Sequence, residues 1–318
     1  MSDHRQVSLG RKVAYGFGSD AFGVKSNGFD YFFLIFYSQV MGVSAYLVSL
    51  ALMIALTVDA LSDPLIGYLS DNTRSRWGRR HPFMYAAALP AAIAYYFVWN
   101  PPSSLEGDAL FPYIVTIAVL VRTLVTVYEI PSSSLVAEMS DDYDERTTML
   151  SYRYFFGWTG GTLMGAFATI FILVPTATVS NGMFNVEGHG QVGATAAVVI
   201  FIAMMLSTMG THKMIPDLKA PPPPRQMSIS LIYREVFETL ASRSFLALFL
   251  AALFGAVAAG VSTTLSFYLS TFFWGFTTGQ IGLIALSVVI SALVAFFIAP
   301  LISKKLGKKR GAITVGLM

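Results

Sequence analysis

The sequence predicts an all-α protein that crosses a membrane many times. Its 318 residues are 55% hydrophobic and 12% charged, and this charged fraction is about half that of a typical soluble domain. Several apolar stretches approach the ~20 residues that cross ~30 Å of hydrocarbon. Backbone polar groups must be hydrogen-bonded inside lipid, and the alternation typical of barrel strands is absent. We therefore expect every span to be a helix.

Hydropathy predicts eight spans and the start of a ninth. In chain order they cover residues 14–40, 46–70, 83–99, 110–138, 150–174, 194–211, 244–272 and 280–302, with 311–318 opening the next. Four consecutive prolines at 221–224 indicate a stiff, solvated spacer. We therefore expect a six-helix N-terminal bundle at 1–214, a proline-rich linker at 215–243 and a partial C-terminal bundle at 244–318.

The basic residues predict the orientation in the membrane. Of the 21 Lys and Arg residues, 19 belong to the N-terminal segment or to the segments that join spans 2–3, 4–5, 6–7 and 8–9. The alternate connections carry none. Because cytoplasmic loops are enriched in Lys and Arg, the N-terminus and the linker are predicted to be cytoplasmic. We expect a plasma membrane, the inner membrane of a bacterium. The net charge of +3 then indicates a lipid bilayer and not a nucleic-acid partner.

A short internal repeat predicts two related halves. Asp63-Pro64-Leu65-Ile66 near the end of span 2 recurs as Ala299-Pro300-Leu301-Ile302 near the end of span 8, and a basic turn follows each. A chance match is the alternative, since the string is short. A repeat after six spans relates the two halves of major facilitator transporters. On this interpretation the second half needs about four more spans, so we expect the chain to be a fragment.

The turn after span 2 carries a resemblance to a known family. It resembles the 2–3 loop signature of the major facilitator superfamily in the strings Gly67-Tyr68-Leu69-Ser70-Asp71 and Arg76-Trp77-Gly78-Arg79-Arg80. Other strings are similar to the glycoside–pentoside–hexuronide:cation symporters of that superfamily: Tyr15-Gly16-Phe17-Gly18, Asp59-Ala60, Asp63-Pro64, Thr73-Arg74-Ser75-Arg76-Trp77-Gly78 and Ile130-Pro131. The resemblance covers spans 1–5 well. It implies a major facilitator fold with a complete first bundle and the first two to three helices of the second.

The same resemblance implies a function. Such a protein is a secondary active transporter that carries a sugar or glycoside together with Na⁺ or H⁺ by alternating access. Two alternatives stay open: a major facilitator transporter of a non-sugar solute such as a lysolipid, and a non-transporting fragment. No enzyme is expected, because HExxH and GxSxG motifs are absent. The four histidines (His4, His81, His189 and His212) fall in predicted loops or termini. No cofactor other than the coupling ion is expected.

Two carboxylates on span 2 are the candidate cation site. Asp59 and Asp63 are four residues apart and therefore share a helix face. Two carboxylates that close, in a low-dielectric site, cannot both stay ionised without a partner, and a proton or Na⁺ between them removes the conflict. Ser62 and Thr126 supply neutral oxygens, which suit a hard cation. The resemblance implies the same four residues. The alternative is that both acids pair with neighbouring helices or line water.

Charged residues on spans 1, 4 and 5 are the candidate solute contacts. Arg122, Thr126 and Glu129 share one stripe of span 4, where they contact a ligand or satisfy each other. The resemblance implies sugar-binding charges at Glu129 and at Arg153, which is predicted at the start of span 5. Asp20 is a candidate replacement for a family acid, whereas Lys25 is predicted to point away from the polar face of span 1.

The sequence departs from the family pattern in three places. The family acid of span 1 is expected at Gly23, a stacking aromatic is expected at Ser133, and Glu129 stands in place of an aspartate. These departures weaken the expectation of a galactoside more than that of cation coupling.

The turn after span 2 is the candidate gate. Asp71 lies at the C-terminal end of a helix, where the helix dipole disfavours an anion. We therefore expect a cationic partner, Arg80 or the N-terminus of another helix. The resemblance implies a latch that holds one conformation, formed with Arg76, Gly78 and Arg79. The alternative is a solvated acid in a turn.

Overall fold

The chain folds into long helices joined by short connections. A computed structural model describes residues 7–177, 179–218, 234, 238–239 and 241–316, and no strand occurs among them. Seven helices in this part are long and apolar enough to cross a membrane. They cover Ala45–Asn72, His81–Trp99, Gly107–Met139, Tyr143–Ile172, Val186–His212, Arg243–Thr263 and Thr278–Ile298. The predicted all-α polytopic fold is confirmed.

The first span is a broken rod and not one helix. It consists of α1 (Leu9–Phe17), α2 (Ser19–Asn27) and α3 (Phe33–Ile35). Two π-helical stretches, Gly28–Phe32 and Phe36–Val40, interrupt and extend it. The π-helical turns occur mostly at functional sites, because they rotate the following side chains relative to a regular helix.

The other helices follow in chain order. They are α4 (Ala45–Asn72), α5 (His81–Trp99), α6 (Phe111–Ser134), α7 (Val136–Met139), α8 (Tyr143–Phe167), α9 (Val186–His212), α10 (Arg243–Tyr268) and α11 (Thr278–Gly316). The π-helical stretches Ala168–Ile172 and Leu269–Phe273 extend α8 and α10. α11 is kinked at Gly307, whose φ of 72° favours glycine.

The helices pack in pairs around a shared core. α5 packs on α6 and α9, α4 packs on α6, and α2 packs on α8. Large aromatic side chains, among them Trp99, Tyr95 and Tyr37, are fully buried in this core. α10 reaches the first span, where the hydroxyls of Ser38 and Tyr268 are 3.1 Å apart. α11 packs along α8.

Loop contacts show that the spans alternate in direction. At one end Lys12 pairs with Glu145 at 2.8 Å, and the basic turn after α4 reaches Glu138 of α7. At the other end the Ser44 amide donates to Asp108 at 2.8 Å. The N-terminal segment and the segments after α4 and α7 therefore meet at one end, as the basic pattern predicts.

Three predicted helix starts are wrong by five to eight residues. The first span begins at Leu9 instead of 14, α8 at Tyr143 instead of 150, and α9 at Val186 instead of 194. The early turns of these helices are polar and therefore invisible to hydropathy. Asp142 and Asn185 cap α8 and α9 through their side-chain oxygens.

The predicted linker and the last span are only partly described. The proline run at 221–224 lies outside the described residues. The eighth span extends past its predicted end at 302, and the backbone is again helical from 308 to 316. The backbone at 299–302 is helical, and the repeat stays a prediction.

Candidate functional site

The centre of the candidate site is an ion pair between α4 and α6. Both Nε and Nη2 of Arg122 lie close to Oδ2 of Asp59, at 3.1 and 2.9 Å. Thr126, one turn further along α6, donates to the other carboxylate oxygen at 2.8 Å. Each side chain of the ion pair is about one-sixth exposed. Asp59 is therefore held at both oxygens, and a buried charge is neutralised by a charge of opposite sign.

Asp63 lies one turn further along α4 and is not satisfied in this way. It is half buried, and its Oδ1 accepts no hydrogen bond from the part of the chain that the structure describes. Ser62, between the two acids, donates its hydroxyl to the carbonyl of Asp59 at 3.0 Å. Asp59 therefore follows the alternative of pairing with a neighbouring helix, through Arg122, whereas Asp63 does not; the cation site stays a prediction.

A second ion pair joins α6 to α8. Arg153 pairs with Glu129 through Nη2 and donates from Nη1 to Ser132 at 3.0 Å. Its guanidinium also lies 5.6 Å from the ring centroid of Tyr15. Arg153 is 6% exposed and lies in the interior of α8. The prediction that Arg153 starts the span is wrong, because α8 begins ten residues earlier.

Lys25 is the residue of the site that sequence reasoning missed. Its predicted orientation, off the arc of Asp20, Asn27 and Asp30, did not place it in the site: the residue is 4% exposed and interacts electrostatically with Arg122, Asp59, Asp30 and Glu129. Its Nζ lies 4.3 Å from the ring centroid of Phe22. A lysine in the middle of an apolar span is the signal that could have found it.

Asp20 lies away from this cluster, against α8. It is 7% exposed, and a Cβ on Gly160 would approach its Oδ1 to 1.3 Å. Asn27 occupies the same groove beside Gly165, whereas Asp30 is exposed. Asp20 and Asn27 therefore lie against α8, whereas Asp30, inside the first π-helical stretch, does not.

The turn after α4 forms a compact ionic cluster at the basic end. Arg80 contacts Asp71 at 2.9 Å, as predicted, and also pairs with Glu138. Arg79 reaches the same glutamate at 2.8 Å. The Glu138 side chain is buried and was not predicted, since it is the last residue of predicted span 4 and shares no motif with the turn.

Two other members of the predicted gate shape the turn itself. Gly78 has a φ of 72°, a backbone conformation that side chains with a Cβ rarely adopt. The Arg76 guanidinium lies 5.5 Å from the ring centroid of Trp77. The role of these residues as a latch stays a prediction.

The histidines contradict their predicted surroundings. His81 begins α5 and His189 lies inside α9, and both are fully buried. His189 stacks on Trp99 and bonds the carbonyl of Met183 at 2.9 Å. His4 lies outside the described residues. Within the described ranges no three His, Asp or Glu side chains form a group that could hold a metal ion.

Comparison with known proteins identifies what the chain is similar to. The model of a family described as MFS/sugar transport protein matches residues 14–318. An uncharacterized symporter of Synechocystis is 32% identical over 203 residues, 62% of this chain and 36% of the relative. The isoprimeverose transporter of Lactiplantibacillus pentosus is 25% identical over 222 residues, 68% of this chain and 45% of the relative.

A third relative is named for a different solute. The sodium-dependent lysophosphatidylcholine symporter 1 of Mus musculus is 29% identical over 153 residues, 47% of this chain and 28% of the relative. The chain therefore spans less than half the length of each of these three relatives.

Proposed function

The chain belongs to the MFS/sugar transport protein family, and from this membership we propose that it serves cation-coupled symport of a small solute by alternating access. The observation that carries the proposal is the cluster of ionisable side chains between membrane-spanning helices, centred on Asp59, Arg122 and Asp63. Charged residues inside membrane spans are costly and mark ion or substrate pathways. The similarity to symporters supports the same mechanism.

The cation site of this proposal is Asp59, Ser62, Asp63 and Thr126. Asp63 supplies the negative charge, since Arg122 already neutralises Asp59. The free Oδ1 of Asp63 and the hydroxyl oxygens of Ser62 and Thr126 are the hard ligands that Na⁺ prefers, and the same carboxylate accepts a proton. The coupling ion, Na⁺ or H⁺, is carried as substrate.

The solute of this proposal is a sugar or glycoside. Glu129, Arg122 and Arg153 present charged hydrogen-bonding groups, and a polyhydroxylated ligand pairs well with such groups. The similarity to an isoprimeverose transporter supports this class. A lysolipid is the second candidate, because the mouse relative is named for lysophosphatidylcholine. Asp20 remains a candidate contact only if α2 moves away from Gly160.

The gate of this proposal is the cluster of Asp71, Arg79, Arg80 and Glu138. Two ion pairs, from Arg79 and Arg80 to Glu138, hold the turn after α4 against α7, and the pair of Arg80 with Asp71 ties the turn to the end of α4. Alternating access requires contacts that hold one conformation and break in the other. We assign this role to the cluster, at the end of the molecule that the basic residues assign to the cytoplasm.

Transport by vesicles that contain the chain tests the proposal. We expect labelled glycosides to accumulate under a Na⁺ or proton gradient and to lose accumulation when Asp63→Asn removes the cation-binding charge. Asp144→Asn is the matched control, because Asp144 is exposed at the start of α8. In a second series of measurements, unlabelled lysophosphatidylcholine is added as a competitor of the labelled glycosides. Equal accumulation by the two variants would contradict cation coupling at Asp63, whereas competition by the lysolipid alone would reassign the solute.

A further inference from the structure

Lys25 is a buried ammonium that makes no ion pair with the described part of the chain. Its residue is 4% exposed and lies in α2, within the first membrane span. The Phe22 ring, 4.3 Å from Nζ to centroid, is its closest stabilising contact among those described. A cation–π contact is weaker than a hydrogen-bonded carboxylate. An ammonium in this position therefore requires compensation from charges further away.

The compensating charges are the carboxylates of the candidate site. Four carboxylates interact with the charge of Lys25: Asp30, Asp59, Asp63 and Glu129. Arg122 already pairs with Asp59, and Arg153 pairs with Glu129. Asp30 is exposed and makes no contact with a cationic side chain of the described chain. Asp63 is consequently the half-buried carboxylate of this group that has no cation assigned to it by contact.

The cluster is one positive charge short of neutral. Four carboxylates face three cationic side chains, those of Lys25, Arg122 and Arg153. Arg122 is fixed by two contacts to one carboxylate oxygen. The lysine amine, in contrast, is a point charge on a flexible four-carbon stem. Lys25 is therefore the cation of the cluster that can change its partner.

We propose that Lys25 is a positioning residue that competes with the coupling cation for Asp63. This inference rests on the proposed cation symport. Without Na⁺ or H⁺ bound, the lysine amine lies closer to Asp63 and offsets its charge. With the cation bound, the amine withdraws towards the Phe22 ring. Lys25 thereby lowers the affinity of the site for the cation and lets the ion leave after transport.

Sodium-dependent stabilisation of the purified chain tests this inference. A ligand that binds the folded state raises the melting temperature, so melting is followed across NaCl concentrations with choline chloride as the reference salt. We expect Lys25→Met to lower the half-saturating Na⁺ concentration about tenfold, because a positive charge near the site is removed. Lys25→Arg keeps the charge and restores a value near that of the wild type. Lys213→Met is the matched control, since Lys213 is exposed at the end of α9.

Three outcomes overturn the inference. The first is a folded Lys25→Met protein with the half-saturating Na⁺ concentration of the wild type, because Lys25 then does not compete with the cation. The second is a Lys25→Arg protein whose half-saturating Na⁺ concentration falls as far as that of Lys25→Met. If Lys25→Met does not fold, Lys25→Gln carries the same expectation. A Na⁺ response that is absent from every variant, together with the absence of a proton response in a parallel pH series, contradicts the proposed cation coupling as well.

Discussion

Arg153 shows what a single residue requires inside the bundle. Its guanidinium is almost fully buried and is paired with Glu129 and Ser132. Removing one partner of a buried pair leaves the other charge without compensation. Because the Glu129 side chain is still 22% exposed, water offsets part of this loss. We predict that Glu129→Gln lowers the free energy of unfolding by about 1–3 kcal/mol, measured by tryptophan-detected thermal melting in detergent.

A double variant of Glu129 and Arg153 separates the loss of their ion pair from the cost of leaving one charge buried. In Glu129→Gln/Arg153→Gln both charges are removed, so neither is left unpaired. We expect the double variant to lose less stability than the sum of the two single variants, since contacting residues are not additive. If the loss of unfolding free energy in the double variant equals the sum of the losses in the two single variants, the two side chains act independently, which contradicts a stabilising ion pair.

The sequence predicts the acids of the site better than their partners. Asp59 and Asp63 were found because a carboxylate is unusual in an apolar span. That Arg122 holds Asp59, whereas Asp63 has no such cation, depends on the rotation of α4 against α6. Helical periodicity describes each helix separately and does not give this rotation. The absence of Lys25 from the predicted site has the same cause: a projection around one regular helix cannot say which neighbouring helix each face meets.

At the scale of elements, α2 and α8 approach each other through glycines. A Cβ on Gly161 would lie 2.4 Å from the carbonyl oxygen of Gly23, which is backbone and cannot rotate away. Small residues at such positions allow close packing of membrane helices. We predict that Gly161→Ala destabilises the bundle by about 1–3 kcal/mol, the usual cost of overpacking. The melting temperature in detergent measures this loss.

Gly157 provides the matched control on the same helix. A Cβ there would lie 3.4 Å from the carbonyl oxygen of Ser19, an ordinary van der Waals distance. Alanine also has a higher helix propensity than glycine. We therefore expect Gly157→Ala to leave the melting temperature unchanged or to raise it. A loss at Gly157 equal to that at Gly161 would mean that close backbone approach does not determine the packing.

The boundaries of the elements were less predictable than their existence. Long apolar runs predict α4, α5 and α10 to within a few residues. The starts of α8 and α9 lie earlier than expected, because polar first turns form hydrogen bonds that hydropathy does not register. Asp142 illustrates this: it appears as a surface acid in the sequence, and in the structure its carboxylate accepts the Glu145 amide at 2.7 Å.

At the scale of the whole molecule, charge asymmetry predicts orientation. Three of the segments that carry basic residues meet at one end, where Lys12 contacts Glu145 and Arg79 contacts Glu138. Because Lys and Arg are enriched in cytoplasmic loops, we predict that this end lies in the cytoplasm. An inverted bundle has the same internal contacts, so the prediction needs a test of its own.

Cysteine labelling tests the orientation, and the chain is suited to it because it contains no cysteine. Ser104→Cys lies in the connection before α6, and Ser242→Cys lies just before α10; both serines are exposed. We predict that a membrane-impermeant maleimide labels Ser104→Cys in intact cells and labels Ser242→Cys only after lysis. The same substitution at both sites makes thiol reactivity comparable. The reverse pattern would place the ionic cluster of Arg79, Arg80 and Glu138 outside the cytoplasm.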